Sequence, residues 1–274
     1  MSPSLNHELS AMRPSLTGER IDPGQSPPLY LQQHVARYVF AAPYCEGKIV
    51  LDAGCGMGYG TEFLRRSARK VVGIDYDPAT IGHCNRTYKS PRGNEERENL
   101  EFRCVDAECL PQEWRERFNV VVSFEAIEHF ADAQRFLAGA RNVLEPGGRL
   151  IVSTPNRAVN PLPSNRFHVR EFWPREFERV LSECGFGDIA IYGQCPNPLW
   201  RVGLNTATGA LRRIINLFHP QSLGIGGKIE AASHRSVVRP FVGELIDASL
   251  VLPEFIPQRL YGRPSFLVAV AARA

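Results

Sequence analysis

The sequence lacks the features that mark membrane and secreted proteins. No apolar run in its 274 residues reaches the roughly 18 residues that a membrane-spanning helix needs. The first residues, Met1 to Glu8, contain neither the basic region nor the apolar core of a signal peptide. The seven cysteines are odd in number and include no C-x-x-C pair, which argues against a disulfide framework or a zinc knuckle. We therefore expect a cytoplasmic protein with reduced thiols and no membrane partner.

Internal repeats and a strong charge of one sign are also absent. The 32 Lys and Arg residues nearly balance the 29 Asp and Glu residues, which leaves a net charge of +3. The basic residues are scattered rather than gathered into a stripe with aromatic neighbours, so we expect no nucleic-acid partner. The hydrophobic content of 43% is sufficient for a packed core.

The chain is organised around a strand–turn–helix motif near residue 50. An apolar run beginning at Ile49 ends at Asp52, glycines follow at positions 54, 56, 58 and 60, and a helical pattern begins at once. Such a turn brings the backbone close to a nucleotide. The dinucleotide fingerprint G-x-G-x-x-G does not fit, because its last glycine would fall on Tyr59 or Thr61. A tight turn without a ligand is the structural alternative.

The hydrophobic pattern predicts an α/β fold. Strand patterns lie near 48–53, 70–75, 99–105, 118–124 and 149–154, and helical patterns lie near 58–68, 77–89, 131–144 and 174–185. Their alternation predicts a mostly parallel sheet with helices on both faces. Two later strand patterns, near 187–193 and 265–271, bring the predicted total to seven.

The chain divides into four predicted parts. Residues 1–43 form an N-terminal arm and a helix over 29–42 that Pro43 ends, and residues 44–194 form the α/β core. Residues 195–262 are an insertion with an amphipathic helix near 205–218, and residues 263–274 hold the last strand. The insertion is either a lid or substrate platform or a dimer surface, so a homodimer is one of the options. Within the core, Glu145–Gly148 is predicted to be a turn.

Acids follow the first three predicted strands, at Asp52, Asp75 and Asp106. A carboxylate in the place of Asp75 can accept both hydroxyls of a ribose. The pattern D-x-G-x-G-x-G, which begins at Asp52, resembles the first motif of class I S-adenosylmethionine (SAM) methyltransferases, and the likeness runs from Val50 to Asn156.

This resemblance implies a Rossmann-like class I methyltransferase fold with SAM as the cofactor. The acid after the first strand suits the ammonium group of SAM, and the resemblance places Asp106 and the N–H of Ala107 at the adenine. The predicted cofactor-binding residues are Asp52, Gly54, Cys55, Gly56, Gly58, Asp75, Tyr76, Asp106, Ala107, Glu108, Phe124 and Glu125.

Four shorter segments resemble a narrower bacterial group whose members often act on sugars or natural products. They are Thr17–Arg20, Phe124–His129, Ser153–Asn156 and Phe167–Phe172. The resemblance implies a small-molecule acceptor of that kind.

The segment after the fourth strand carries the candidate catalytic groups. Its E-x-x-E-H run, followed by a later histidine, is similar to the metal site of small-RNA 2′-O-methyltransferases, which would map onto Glu125, Glu128, His129 and His168. Two carboxylates and two imidazoles could bind a divalent ion such as Mg, Mn, Fe or Zn. Alternatively His129 or His168 acts as a general base. Because a hydroxyl needs such help more than an amine does, we expect O-methylation.

Two further functions remain open at this stage. One is a metal-dependent RNA 2′-O-methyltransferase, and the other is a non-catalytic SAM-binding protein. The acceptor pocket is predicted to involve segments 12–40, 157–172 and 195–262, which contain no recognisable motif for a particular acceptor. The aromatic side chains that could line this pocket, or simply pack, are Tyr30, Tyr38, Phe167, Trp173, Trp200 and Tyr261.

Overall fold

The structure is a computed structural model that describes residues 20–24, 26, 28–89, 98–159, 165–194, 255–257 and 264–274. The strands are β1 (Ile49–Ala53), β2 (Lys70–Asp75), β3 (Leu100–Cys104), β4 (Phe118–Phe124), β5 (Leu144–Pro155), β6 (Phe186–Gln194), β7 (Phe255–Pro257) and β8 (Phe266–Arg273). The helices are α1 (Pro28–Cys45), α2 (Tyr59–Arg65), α3 (Pro78–Cys84), α4 (Ala133–Val143) and α5 (Pro174–Glu183).

The strands form one sheet in the order β3-β2-β1-β4-β5-β8-β6-β7. Neighbours from β3 to β5 run parallel, whereas β8 is antiparallel to both β5 and β6. This confirms the predicted Rossmann-like fold. The short strand β7 makes eight rather than the predicted seven, and it comes from the end of the predicted insertion, where it pairs with β6.

Both faces of the sheet are buried because its central strands are apolar on both sides. In β4, Val121 packs into one core cluster, whereas Val120 and Val122 pack into the other. Helices α4 and α5 cover the first face with residues such as Phe136. Helices α1 and α2 cover the second face with residues such as Val35. The sheet is therefore the middle layer of a three-layer domain.

Three local predictions were wrong in detail. Pro43 does not end its helix, since α1 continues to Cys45. Residues Glu145–Gly148 are not a turn between elements but part of β5, where the register with β4 shifts and Gly147 takes a φ of 75°. The helix predicted over 77–89 is α-helical only to Cys84 and then widens into a π-helical turn over Asn85–Lys89.

Some predictions cannot be compared with the fold. The N-terminal arm before residue 20 and the amphipathic helix near 205–218 lie outside the described residues. Within the part of the chain that is described, no helix is both long and apolar enough to span a membrane.

The contact between α1 and α2 generates the first testable prediction. A Cβ at Gly60 in α2 would overlap the ring of Tyr38 in α1. We expect Gly60→Ala to lower the free energy of unfolding by about 1–3 kcal/mol through overpacking, although alanine is the better helix former. Urea denaturation would measure the change.

Gly139 in α4 is the matched control, because a Cβ there would lie 3.5 Å from Leu110, at an ordinary contact distance. Gly139→Ala should stabilise the protein by about 0.5–1 kcal/mol. If Gly60→Ala, like Gly139→Ala, were at least as stable as the wild-type protein, the close packing of α1 on α2 would be contradicted.

Candidate active site

A cavity of about 1090 Å³ opens at the carboxyl ends of the parallel strands. The strand order reverses between β1 and β4, which is where ligands bind in open α/β sheets. The walls of the cavity include residues of α1, of the loops after β1 to β4, and of segment 165–168. Most predicted site residues line it together: Gly54, Cys55, Gly56, Asp75, Tyr76, Asp106, Ala107, Glu108, Phe124, Glu125, Glu128, His129 and His168. Asp52 and Gly58 are not among the lining residues.

The backbone conformation of the loop after β1 explains its alternating glycines. Gly54 and Gly58 have φ angles of 79° and 77°, which other residues rarely adopt. A Cβ at Gly54 would lie 2.8 Å from that of Ala126, and one at Gly58 would lie 2.7 Å from the sulfur of Cys84. A Cβ at Gly56 would meet nothing within 4 Å. The loop therefore leaves open space beside its own backbone, where the cofactor is predicted to bind. This geometry fits a bound cofactor.

Asp52 lies beneath this loop rather than in the cavity wall. Its side chain is fully buried, and its carboxylate accepts hydrogen bonds from the hydroxyls of Thr61 at 2.7 Å and Tyr38 at 3.3 Å. Burial raises the pKa of Asp52 to about 7, although these two hydrogen bonds lower it in part. The carboxylate therefore supports the loop from below, and direct contact with the cofactor stays a prediction.

Asp75, the predicted ribose ligand, already has three hydrogen-bond donors. Its Oδ1 accepts from the guanidinium of Arg20 at 3.2 Å and from the N–H of Asp77 at 3.0 Å, and its Oδ2 accepts from the N–H of Gly56 at 3.2 Å. Arg20 also lies 5.6 Å from the ring centre of Tyr76, so the end of the N-terminal arm forms a cavity wall beside Asp75.

The residues after β3 form a capped turn at the predicted adenine end. The exposed Asp106 accepts a hydrogen bond from the N–H of Glu108, while Ala107 is buried against the core. The carboxylate of Glu108 accepts hydrogen bonds from the N–H groups of Ala131 and Asp132. Glu108 thus anchors the loop before α4 and also lines the cavity.

Glu125 stands directly after β4 with a φ of 52°. Its carboxylate accepts a 2.9 Å hydrogen bond from the hydroxyl of Ser153 and lies 3.6 Å from the guanidinium of Arg37. Burial raises the pKa of Glu125, and Arg37 opposes that shift.

Glu128, His129 and His168 come together at the inner end of the cavity. One ligand atom from each lies within 4.8 Å of the others. Glu125, the fourth predicted metal ligand, is not part of this group. Both carboxylate oxygens of Glu128 are buried and have no hydrogen-bond partner among the described residues, and burial raises the pKa of Glu128 well above its ordinary value.

Each of the two histidines is oriented by a partner at Nδ1. The Nδ1 of His168 lies 2.7 Å from a carboxylate oxygen of the buried Glu171, and that of His129 lies 3.1 Å from the carbonyl of Phe167. Since both partners are acceptors, each Nδ1 carries a proton and each Nε2 holds a lone pair in the neutral ring. The carbonyl of Glu128 accepts from the N–H of Val169, which joins the two histidine segments.

Sequence reasoning placed segment 12–40, which includes most of α1, at the acceptor pocket, but it did not single out His34 and Arg37 of this helix or Glu171. Arg37 is 1% exposed, and His34 lies 2.6 Å from the hydroxyl of Tyr59, with both side chains facing the cavity. Burial and the nearby Arg37 lower the pKa of His34 to about 3, so it is neutral. The sequence did contain a signal for these two residues of α1, since His34 and Arg37 are polar residues at helical spacing in an otherwise apolar helix.

The predicted aromatic pocket residues are divided. Tyr30 and Phe167 line the cavity, whereas Tyr38 is buried and Trp173 is 47% exposed on the surface. Trp200 and Tyr261 lie outside the described residues.

Comparison with known proteins agrees with this geometry. Residues 51–152 match a family model described as a methyltransferase domain. A Mycolicibacterium smegmatis protein named "Probable S-adenosylmethionine-dependent methyltransferase" is 40% identical over 177 residues, which cover 62% of this chain and 65% of that protein. A ubiquinone biosynthesis O-methyltransferase of Coxiella burnetii is 31% identical over 135 residues, or 49% of this chain and 55% of that one. Each alignment spans less than two thirds of the relative's length.

The fold has solved counterparts as well. A SAM-dependent methyltransferase of Thermotoga maritima, described as a possible histamine N-methyltransferase, superposes with a TM-score of 0.54 over 90% of this chain and 92% of that one. At 16% identity this likeness concerns the fold alone. The strand order is that of the class I SAM-dependent methyltransferase fold, and the glycine loop lies within residues 51–152, which match the methyltransferase domain model.

The buried Asp52 generates a prediction on pH dependence. Its pKa is about 7 in the folded chain and 3.8 ordinarily, so the folded state holds this proton more tightly. Its contribution to stability should therefore fall as pH rises from about 4 to about 7, by about 4 kcal/mol at most, and then stay level. Asp52→Asn should lack this decline, which denaturation of both proteins across that range would measure.

Asp77 is the control, because its pKa is shifted in the direction opposite to that of Asp52. Although burial raises its pKa, hydrogen bonds from Thr80 and Ala79 lower it overall. The wild-type protein should have a higher free energy of unfolding than Asp77→Asn near neutral pH, and it should lose this difference only as pH falls toward the acid range. A flat difference between wild type and Asp52→Asn would show that Asp52 is ionised throughout.

Proposed function

We propose that the chain transfers the methyl group of SAM to a hydroxyl of a small molecule, such as a sugar or another natural product. The observation that carries the proposal is the pairing of His168 with the buried Glu171 at 2.7 Å, in the same cavity as the glycine loop. A general base beside the cofactor site is what a hydroxyl acceptor requires, because an alcohol is a poor nucleophile near neutral pH.

The chain's own residues support this chemistry in a simple way. SAM, when bound, supplies a methyl group on a sulfonium that leaves readily. The Nε2 of His168 would accept the proton of the acceptor hydroxyl, while Glu171 holds the ring at Nδ1 and stabilises the imidazolium that forms. His129 lies alongside, with ring centres 5.0 Å apart, and is the alternative base.

Two further observations support a small polar acceptor. The inner end of the cavity is polar, with Glu128 and two histidines, whereas Tyr30 and Phe167 offer ring faces that suit a sugar or an aromatic ring. The Coxiella burnetii relative is named an O-methyltransferase, and this chain aligns with 55% of it. The six described cysteines are all free, which supports the cytoplasm as the place of the reaction.

The proposal is tested by incubating the full chain with SAM and a panel of sugars, phenols and amines. Mass spectrometry would detect S-adenosylhomocysteine and a product heavier by one CH2 group. We expect turnover with hydroxyl acceptors. Turnover with amines alone would contradict O-methylation, and cofactor binding without turnover on any acceptor would favour a non-catalytic SAM-binding protein.

Substitutions at the base and its partner give the mechanistic prediction. His168→Ala should lower kcat by about 10²–10⁴-fold, because the acceptor proton loses its receiver. Glu171→Gln should lower kcat by about 10–100-fold, because the ring loses its orienting carboxylate. Binding of S-adenosylhomocysteine, measured by calorimetry, should stay unchanged in both.

His83→Ala is the matched control, since His83 lies on α3 and does not line the cavity. Its kcat should equal that of wild type. If His129→Ala abolished turnover while His168→Ala did not, the base would be His129.

A divalent metal is a second candidate arrangement, favoured by Glu128. A carboxylate buried without a partner beside two imidazoles is a donor set that could hold such an ion. With a metal, the acceptor hydroxyl would be acidified by coordination rather than by a base. The ribose of a small RNA would be a possible acceptor for that chemistry.

Removal of metal separates these alternatives. If a histidine is the base, dialysis against EDTA should leave the rate of S-adenosylhomocysteine formation unchanged. A loss that Mn²⁺, Mg²⁺ or Zn²⁺ restores would favour the metal site. Tight, salt-sensitive binding of an RNA oligonucleotide would further support an RNA substrate.

A further inference from the structure

Arg20, which precedes α1, forms an ion pair with a predicted cofactor residue. Its guanidinium donates a 3.2 Å hydrogen bond to Oδ1 of Asp75, and both residues line the cavity. The two side chains are only 10% and 7% exposed, so salt and water screen their attraction poorly. Arg20 therefore takes up hydrogen-bonding capacity at the place where the ribose is predicted to bind.

The carboxylate of Asp75 has little of that capacity left. A carboxylate offers about four lone pairs, two on each oxygen. Arg20 and the N–H of Asp77 use both at Oδ1, and the N–H of Gly56 uses one at Oδ2. One lone pair remains, whereas a ribose bound through both of its hydroxyls needs two. The other two donors are backbone groups of the glycine loop and of the cap of α3, so Arg20 is the donor that a ribose can displace.

Asp77 provides Arg20 with a second carboxylate. The Nη1 of Arg20 lies 3.6 Å from Oδ2 of Asp77, while its Nη2 contacts Asp75. A rotation of the side chain would close the first contact and release the second. The backbone beside Arg20 is held in place, because Ile21 packs against the core and the carbonyl of Asp22 closes the turn that follows. The exchange of partners therefore requires movement of the side chain alone.

We propose that Arg20 competes with the ribose of SAM for Asp75 and moves to Asp77 when the cofactor binds. The inference rests on the proposed use of SAM and on the predicted ribose role of Asp75. Arg20 then opposes cofactor binding instead of adding to it. Because apparent affinity falls with the fraction of the protein that is competent to bind, removal of this competitor strengthens binding.

The test compares two ligands by calorimetry on the full chain: S-adenosylhomocysteine and its 2′,3′-dideoxy analogue, which lacks both ribose hydroxyls. Arg20→Ala should bind S-adenosylhomocysteine about 3–10-fold more tightly than the wild-type protein, because Asp75 is then open to the ribose. The dideoxy analogue makes no demand on Asp75, so its affinity for the two proteins should agree within about twofold.

Two further variants serve as controls for Arg20→Ala. Arg20→Lys keeps the charge and should remain closer to the wild-type affinity. Arg103→Ala removes the same charge from a more exposed pair with Glu101 outside the cavity lining, and it should leave both affinities unchanged.

Substitution of the second carboxylate should have the opposite effect. Asp77→Asn keeps a side chain that caps α3 well but removes the charge that attracts Arg20 away from Asp75. Its affinity for S-adenosylhomocysteine should fall by about 2–5-fold. In the double variant with Arg20→Ala this loss should disappear, since no guanidinium remains to compete.

Four results would overturn the inference. Weaker binding of S-adenosylhomocysteine by Arg20→Ala would mean that Arg20 holds the cofactor, and unchanged binding would mean that the ribose binds beside it. Equal gains for both ligands would mean that Arg20 only restricts entry to the cavity. Equal affinities of Arg20→Ala for the two ligands would mean that Asp75 does not bind the ribose. Failure of the wild-type protein to bind S-adenosylhomocysteine would instead refute the proposed function itself.

Discussion

Asp52 holds the end of β1, the start of α2 and the middle of α1 together through hydrogen bonds from Thr61 and Tyr38. These contacts are buried, so water does not compete with them. Because Tyr38 also packs over Gly60, the glycine loop and α1 have a defined relative position. That position brings Arg37, which directly precedes Tyr38 on the helix, to the cavity wall. The geometry of the glycine loop and of this cavity wall thus depends on a carboxylate that does not line the cavity.

The inner end of the cavity concentrates charge that the fold alone does not require. The carboxylates of Glu125, Glu128 and Glu171 lie near one buried arginine and two histidines. Burial raises the pKa of both Glu125 and Glu128, which means that their ionised forms are disfavoured there. Groups kept in such surroundings cost stability, and the cost is tolerated where ligand binding or proton transfer uses them. The location of these groups beside the glycine loop is what supports a catalytic interpretation.

The fold and the conformation of the glycine loop could be predicted because backbone geometry restricts them. Gly54 and Gly58 have conformations and close contacts that exclude other residues, and parallel strands must place Asp75 and Asp106 at one edge. Arg37 and Glu171 could not be found in this way. Their roles depend on tertiary contacts, with Glu125 for Arg37 and with His168 for Glu171, that no local pattern encodes. The extent of β5 was missed for a similar reason, since a bulge carries Gly147 into the sheet.

The difference between backbone geometry and side-chain contacts also explains why the acceptor is harder to identify than the cofactor. The predicted cofactor residues lie at strand ends and in a loop, whose positions follow from sheet topology. The proposed acceptor side of the cavity is lined by side chains of α1 and of residues 165–168, whose identity the fold leaves free to vary. Helix α1 takes part in both sides, since Tyr38 supports the loop while Arg37 and Tyr30 face the cavity. A change of acceptor that moved this helix would therefore also alter the cofactor site, which restricts the adaptation of this wall to new substrates.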